Sequence, residues 1–438
     1  MGDSPLSKHQ KETELVFNLL KMCREIPDLR DEVYCQLVKQ VTSNKSQKPE
    51  SASRGWRLLI IITAYIECSD VFKPYLVTFL QSTASDPKRE FHGAAATCEM
   101  NLMKTFKYGG RKTPPSKEEL NQLVQGRQTK RQVFVLPGGT RMLKVQTSST
   151  GFDVIKEMCV DMDLTSENHY KEYGTVHLHG RTSMERQGFA FSLYFRRVLW
   201  LQGLRLDNEL LVSVIYYQVL PDFMAGYLLA THGRSFGDAQ FQNQIAELGA
   251  LQYRARDEAI LQANHSEVET LIPRGMLDKL RPQQWMMLIQ DHFRSCHTLS
   301  PHQSRRKFLG TNCHQVALFW ITFFEVKKCS HPSVSGDCVL AVNRTGIHFL
   351  SHATVQTLLS EPFVSIISTR LLISDKKRQF LDLKIGNVMM QKVTRMETTQ
   401  AKEISNLIYK YVAIHSSAKQ EGQGLAVVLR SQQEKQKM

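Results

Sequence analysis

In the first quarter of the chain, apolar residues recur three and four positions apart, the spacing of a single helix face. Asp28 is placed to cap a helix carrying Val33, Tyr34, Leu37, Val38 and Val41 on one side, and Pro27 stops whatever precedes it. Gly55-Trp56-Arg57 opens the run Leu58, Leu59, Ile60, Ile61, Ile62, apolar enough to be buried on most sides. Val71 to Thr83 and Phe91 to Phe106 follow, the latter with Ala95, Cys98, Leu102 and Phe106 aligned. These segments predict an all-helical bundle.

After residue 131 the period changes. Gln132 to Leu136, the turn Pro137-Gly138-Gly139 and Arg141 to Thr147 read as two strands, and Phe152 to Met162 as an amphipathic helix. Strand-like runs recur at Thr175 to His179 and Phe189 to Leu201. Helical spacing returns from Leu210 to about His314, with Asp238 as a cap for Phe241, Ile245, Leu248 and Leu251. Strands are then predicted at Trp320 to Val326, Val339 to Val342, Gly346 to Leu350, Phe363 to Ile373, Gln379 to Ile385 and Val388 to Val393. A last helix, Thr399 to Ile414, carries Ile404, Leu407, Ile408 and Tyr411 on one side, and a polar tail follows Ser416.

With 438 residues, 42% of them hydrophobic, the chain has material for several cores. No stretch approaches the roughly 20 apolar residues of a membrane span, and the first ten residues lack a secretory apolar core, so a cytoplasmic location is expected. The nine cysteines are scattered without a C-x-x-C pair and are read as reduced thiols. Lys and Arg exceed Asp and Glu by 14, and between Lys104 and Lys144 ten basic residues face only Glu118 and Glu119. That segment also holds Gly109-Gly110 and Thr113-Pro114-Pro115-Ser116, so it reads as connecting structure with a boundary near 128. Its charge suits an acidic surface, with a solvated linker as the plain alternative.

Three phrases of the helical part, Leu29-Arg-Asp-Glu-Val-Tyr-Cys-Gln-Leu-Val-Lys-Gln40, Gly55-Trp-Arg-Leu-Leu59 and Pro74-Tyr-Leu-Val-Thr-Phe-Leu80, together with Met1-Gly-Asp3 and Cys23, closely resemble the myosin tail homology 4 domain. Phe195-Arg-Arg-Val-Leu-Trp200, Leu206-Asp-Asn-Glu209, Tyr216-Tyr-Gln-Val-Leu-Pro-Asp222 and Phe319 to Val326 resemble a FERM domain. The pair is similar to the tail of an unconventional myosin, and Arg127 to Gly139 resembles class XV most. The resemblance implies a multidomain α+β chain: an N-terminally truncated helical bundle over 1–128, then a three-lobed FERM module. Its lobes would be a ubiquitin-like β-grasp lobe at 129–208, a helical acyl-CoA-binding-protein-like lobe at 209–317 and a PH-like β-sandwich with a C-terminal helix at 318–416. A flexible tail would occupy 417–438.

The implied function is noncatalytic: a tail module that binds cargo proteins or cytoskeletal filaments. The implied partners are cargo protein peptides and the actin cytoskeleton, with microtubules or anionic membrane lipids as further candidates. A phosphoinositide-binding membrane–cytoskeleton scaffold is the alternative, and actin-rich protrusions are an expected location. No cofactor, metal or nucleic acid is expected. The G-x-x-x-x-G-K-[ST] loop that surrounds nucleotide phosphates does not occur, so ATP hydrolysis is not expected. The basic docking surface is assigned to Lys104, Lys107, Arg111, Lys112, Arg127, Lys130 and Arg131. The resemblance also implies a peptide groove between the 363–373 strand and the last helix. Ser365, Ile366, Ile367, Ser368 and Thr369 would supply its edge, and Ile404 and Ile408 its apolar contact, with core duty as the competing role of the isoleucines.

Other patterns carry less. Gly233-Arg-Ser-Phe-Gly237 fits G-x-S-x-G, but a helical run precedes it where a nucleophile elbow needs a strand. His292, Cys296, His297, Cys313 and His314 match no common zinc spacing, and His348 and His352 fall in a strand pattern that does not align them. Trp285 to Ile289 reads as core more readily than as an adaptable Met-rich strip. The terminal Gln436-Lys437-Met438 lacks the Ser or Thr that a carboxylate-pocket ligand carries two places before its end.

Overall fold

The computed structural model describes residues 6–8, 10–110, 115–125, 129–146, 149–164, 173–178, 192–201, 204, 206–230, 237–256, 265–315, 321–334, 336–374, 378–387 and 389–415. The chain divides into two units, one formed by Met1–Gln132 with Met142–Thr150 and the other by Val133–Arg141 with Gly151–Met438.

The first unit is built from helices α1 (Glu12–Glu25), α2 (Leu29–Val41), α3 (Ser51–Tyr65), α4 (Lys73–Ala84), α5 (His92–Tyr108) and α6 (Lys117–Val124). Its centre is α3, which buries Trp56, Leu59, Ile60, Ile61, Ile62 and Tyr65. The Trp56 ring lies 6.0 Å from both Phe79 and Phe91, stacked between α4 and the start of α5. Polar ties then fix the bundle. Asn101 Nδ2 donates to Ile60 O at 3.2 Å, Thr105 Oγ1 to Thr63 O at 2.7 Å and Tyr34 Oη to Ile66 O at 2.7 Å. Buried donors that find carbonyls avoid the desolvation penalty of orphaned polar groups.

Two sequence expectations are corrected here. Asp28 stands at the start of α2 but in α conformation, with no side-chain capping bond. The 104–144 segment is not mere connection, because it contains α6, capped by Ser116 Oγ accepting from Glu119 N. Leu120 and Leu123 of α6 enter the bundle core, and Tyr65 Oη donates to Glu119 Oε1 at 2.6 Å. The apolar period there is only two residues long, and the neighbouring charge hid it.

The second unit begins in strand β1 (Thr129–Leu136); β2 (Gly139–Gln146) follows across the turn. Gly138 sits at φ 81°, where a Cβ would run into the ring of Tyr217, so both conformation and space require glycine. After α7 (Gly151–Asp161) come β3 (Tyr173–Leu178) and β4 (Ser192–Arg197). Strand β4 runs parallel to β1, with Phe134 opposite Leu193, and antiparallel to β3. A helical part follows, with its longer helices at Glu209–Met224, Ala239–Arg254, Pro282–Cys296 and Pro301–Gln315. Asp238 caps the second of these as expected, accepting from Gln240 N. Trp285, Met286 and Ile289 are core while Met287 is exposed, which settles the Met-rich run mostly as packing.

The last part is a sandwich of two sheets. One has the order β5-β7-β8-β9 and the other β10-β11-β12-β6. The strands are β5 (Thr322–Val326), β6 (Lys328–Cys329), β7 (Cys338–Val342), β8 (Gly346–Ser351), β9 (Thr357–Pro362), β10 (Ile366–Ile373), β11 (Gln379–Gly386) and β12 (Gln391–Glu397). A helix at 401–415 closes it, burying Ala401, Ile404, Leu407, Ile408 and Tyr411 against both sheets. The final strand starts at Gln391 rather than Val388, because Asn387 Oδ1 accepts from Met389 N and Met390 N and turns the chain first. Trp200, at the end of the Phe195–Trp200 phrase, donates its backbone N–H to Tyr411 Oη at 3.1 Å and its ring N–H to Thr322 Oγ1 at 3.3 Å.

Candidate peptide-docking edge of the sandwich

Strand β10 ends its sheet. It pairs antiparallel with β11, from Ile366 opposite Ile385 to Ile373 opposite Gln379, and among the described residues no strand lies on its other side. A free edge offers a row of amides and carbonyls to an extended chain. Leu381, opposite Leu371, and Leu383, opposite Thr369, point into the core, so Leu371 and Thr369 lie on the same sheet face as the closing helix. Leu371 and Ile373 are nevertheless exposed, as is Ile367, where the register slips between Ile366 and Ser368.

The helix lies antiparallel to β10. Thr369 Oγ1 and Ser405 Oγ share a hydrogen bond of 2.7 Å, while Phe363 stacks on Tyr411 with ring centroids 5.3 Å apart and lies tilted against His415 at 5.5 Å. At helical spacing, Tyr409 and Val412 continue the face that Ser405 begins, and the Tyr409 ring is 74% exposed. The edge is therefore bordered by Ser405 and Tyr409 on the helix and by Ile367, Thr369, Leu371 and Ile373 on the strand.

Of the residues read from sequence for this groove, Ile367, Ser368 and Thr369 lie on the β10 edge. Ser365 does not belong to the strand; it sits in a 3-10 turn, Phe363–Ser365, with Oγ donating to Glu361 Oε2 at 3.0 Å and to Pro362 O at 2.8 Å. Ile366 is a core residue. Ile404 and Ile408 are 0% and 1% exposed, packed under the sheets, and offer no surface to a ligand. The apolar stripe of an amphipathic helix marks its core face, so the groove wall had to be sought about a quarter turn away, at Ser405 and Tyr409. Neither hydrophobicity nor charge singles those two out in the sequence.

On the opposite face of this sheet Arg395 grips Asp382 with bonds of 2.6 and 2.8 Å, and this pairing holds the Asp382 carboxyl below its ordinary range. Arg370, opposite Asp382, adds to that field.

The basic residues fall in the first unit. Lys107 is exposed and lies 5.4 Å from the Tyr108 ring centroid, Lys104 is half-buried, and Arg131 is exposed on β1. Arg111, Lys112 and Arg127 lie outside the described residues, as does the side chain of Lys130.

The enzyme-like and metal-like patterns find separate surroundings. Residues 233–236 of the G-x-S-x-G match lie outside the described residues. His292 Nε2 bonds Asn243 Oδ1 at 2.9 Å, His297 Nδ1 bonds Arg294 O at 2.8 Å, and Cys296 is buried. The side chains of Cys313 and His314 are outside the described set. His348 sits on β8 bonded to Ser360 Oγ at 2.8 Å, whereas His352 lies in the following turn against the Tyr227 ring. Among the described residues no three His, Cys, Asp or Glu side chains converge on a metal position, and no helix is long and apolar enough to cross a membrane. A cavity of about 530 Å³ in the helical part is lined by Glu209, Ser213, His302 and Arg305 among others. Its guanidinium is already engaged by Ser213 Oγ, Tyr217 Oη and Ala255 O.

Comparison with known proteins agrees with this architecture. Residues 16–122 match the MyTH4 domain and residues 324–416 the PTB domain of IRS-1 type. The chain is 37% identical over 432 residues to Unconventional myosin-XV of Homo sapiens, spanning 94% of this chain and 12% of that relative. To Myosin-VIIa of Drosophila melanogaster it is 23% identical over 447 residues, spanning 94% of this chain and 19% of the relative. The solved structure of human Myosin 7b C-terminal MyTH4-FERM domain in complex with harmonin-a PDZ3 domain matches with a TM-score of 0.63 at 21% identity, over 94% of this chain and 85% of that one. The Dictyostelium Discoideum Myosin VII MyTH4-FERM MF1 domain, mutant 2, matches with a TM-score of 0.61 at 17% identity, over 93% and 82%. The chain is a MyTH4 domain followed by a FERM-like fold, similar along nearly its whole length to the tails of unconventional myosins.

Proposed function

We propose that this chain is a cargo-binding myosin tail module whose sandwich takes an extended peptide along β10. The free β10 edge beside the Thr369–Ser405 bond carries the reading: the backbone row gives affinity, and Ile367, Leu371 and Tyr409 give side-chain contact. Leu371 and Ile373, exposed at 46% and 74%, give this eight-residue strand an apolar edge past the register slip at Ile366–Ser368, with Arg370 as its one charge. That the human Myosin 7b tail was solved in complex with a PDZ domain supports a protein as the kind of partner. In this reading residues 129–416 form a FERM module with lobes at 129–208, 209–317 and 318–416, the chain does no chemistry of its own, and it associates with the actin cytoskeleton.

The test is affinity capture from cytosol with the wild-type chain and with Leu371→Asp. Partners that bind along β10 are lost in the variant. An identical captured set from both proteins removes the β10 reading.

A second reading, adhesion to an anionic surface such as a phosphoinositide membrane or a filament, is favoured by the ten-to-two excess of basic residues between Lys104 and Lys144. Sedimentation with anionic liposomes at two salt concentrations separates it, since charge-driven adhesion weakens as screening shortens.

A further inference from the structure

Cys329 and Cys338 are nine residues apart in sequence and come from strands of different sheets. Strand β5 leaves its sheet after Val326, and two residues later the chain joins the other sheet as β6, where Cys329 pairs with Met396. Cys338 opens β7 opposite Val326. The crossing of β5 into β6 therefore brings both cysteines to one end of the sandwich core, where Cys338 is 1% exposed and Cys329, half-buried, packs against the same cluster. The two thiols are close enough to shift each other's titration, and the His331 backbone acts on the Cys329 sulfur as well.

We infer that Cys329 and Cys338 form a reversible thiol–disulfide pair, in which Cys329 meets the oxidant and Cys338 resolves it. Two observations divide the roles. Cys329 is the more accessible of the two, with the buried Cys338 behind it. The Cys338 thiol and the His331 backbone both favour a Cys329 thiolate and draw its pKa down, while the Cys329 sulfur and burial push Cys338 up. An accessible, thiolate-rich cysteine beside a resolving thiol is the arrangement that redox-responsive pairs share.

The chemistry balances with a hydroperoxide as oxidant. The Cys329 thiolate attacks one peroxide oxygen; an S–O bond forms, the O–O bond breaks, and hydroxide leaves and takes up a proton to become water. Cys338 then attacks the sulfenic sulfur; the S–S bond forms, the S–O bond breaks, and the released hydroxyl leaves as water with the Cys338 proton. Two thiols and one hydrogen peroxide yield one disulfide and two waters, the sulfurs losing two electrons and the peroxide gaining them. Two equivalents of a thiol reductant reverse the step. The disulfide joins the β6 edge of one sheet to the first residue of β7 in the other.

The full chain, reduced and then treated with a small excess of hydrogen peroxide, is blocked with N-ethylmaleimide and digested for mass spectrometry. The expected product is a Cys329–Cys338 linked peptide, which dithiothreitol removes. In Cys338→Ser the link is absent, and dimedone labels Cys329. In Cys329→Ser the link is absent, and Cys338 is recovered as the thiol. Should a serine variant fail to fold, wild-type protein treated with peroxide and dimedone together decides the point, with label expected on Cys329 at the expense of the link. Before oxidation, Cys329 is expected to alkylate faster than Cys338 at pH 7. Recovery of both residues as free thiols after peroxide consumes other cysteines, or disulfides that join either one elsewhere, overturns the inference.

Discussion

Thr369 and Ser405 are joined hydroxyl to hydroxyl at 2.7 Å across the seam between β10 and the closing helix, and this bond sets the width of the groove there. Neither residue belongs to the sandwich core, whereas Ile404, next to Ser405, is fully buried. The helix thus turns one face to the core and the adjacent face to the β10 edge, and substitutions in the core and along the edge are expected to have separable consequences.

Ile404→Ala removes a fully buried side chain and leaves a cavity under both sheets, so it lowers stability by about 2–5 kcal/mol. Leu371→Asp, at a side chain 46% exposed, changes stability by no more than about 0.5 kcal/mol yet weakens a β10-bound peptide by roughly tenfold, about 1.4 kcal/mol. Thermal melts paired with binding titrations check both. Equal loss of stability in the two variants contradicts the division between core and edge.

In the bundle, Trp56 fills the space between Phe79 and Phe91 and is 3% exposed. Trp56→Ala lowers the stability of the first unit by about 3–5 kcal/mol. Denaturant unfolding, or hydrogen exchange resolved over residues 51–108, reads this, and the sandwich amides are expected to keep their protection.

Asp222 supplies a pH dependence of known sign. Burial raises its carboxyl from the ordinary 3.8 to about 6, only partly opposed by the Arg196 guanidinium. Because the folded pKa lies above the unfolded one, the contribution of this group is full below about pH 4 and is lost as pH rises through 6. Relative to Asp222→Asn, the wild-type chain therefore loses about 3 kcal/mol of unfolding free energy between pH 4 and pH 7. Urea unfolding of both proteins at the two pH values measures it. A difference between them that stays constant with pH refutes the assignment.

Charge reversal at Lys107 and Arg131, both exposed, weakens adhesion to anionic liposomes, and the deficit shrinks at high salt. The MyTH4-domain melt is expected to stay unchanged, since neither side chain enters the bundle core. Adhesion that is insensitive to both salt and charge reversal rules out the electrostatic reading.

The apolar spacing of residues 28–106 was enough to define α2 to α5, because a helix that must bury one face records that face every three to four residues. Alternation along 379–385 likewise wrote β11 into the chain, with Leu381, Leu383 and Ile385 buried and Phe380, Asp382 and Lys384 half-buried between them. The resemblance carried by Gly55–Leu59 and Phe195–Trp200 extended this to the order of domains, which the comparisons then supported. Helix α6 was missed, since Leu120 and Leu123 are too few to stand out beside so many charges.

What the sequence determined by itself is thus most of the elements and the faces they bury: periodicity is a local record of burial wherever the apolar stripe is long enough to stand out. Only the tertiary structure decided which strand became an edge, which side of the 401–415 helix borders it, and that Cys329 meets Cys338. Those relations depend on how strands from distant positions pair and cross, and a one-dimensional pattern of apolar and polar residues is the same whichever neighbour covers it.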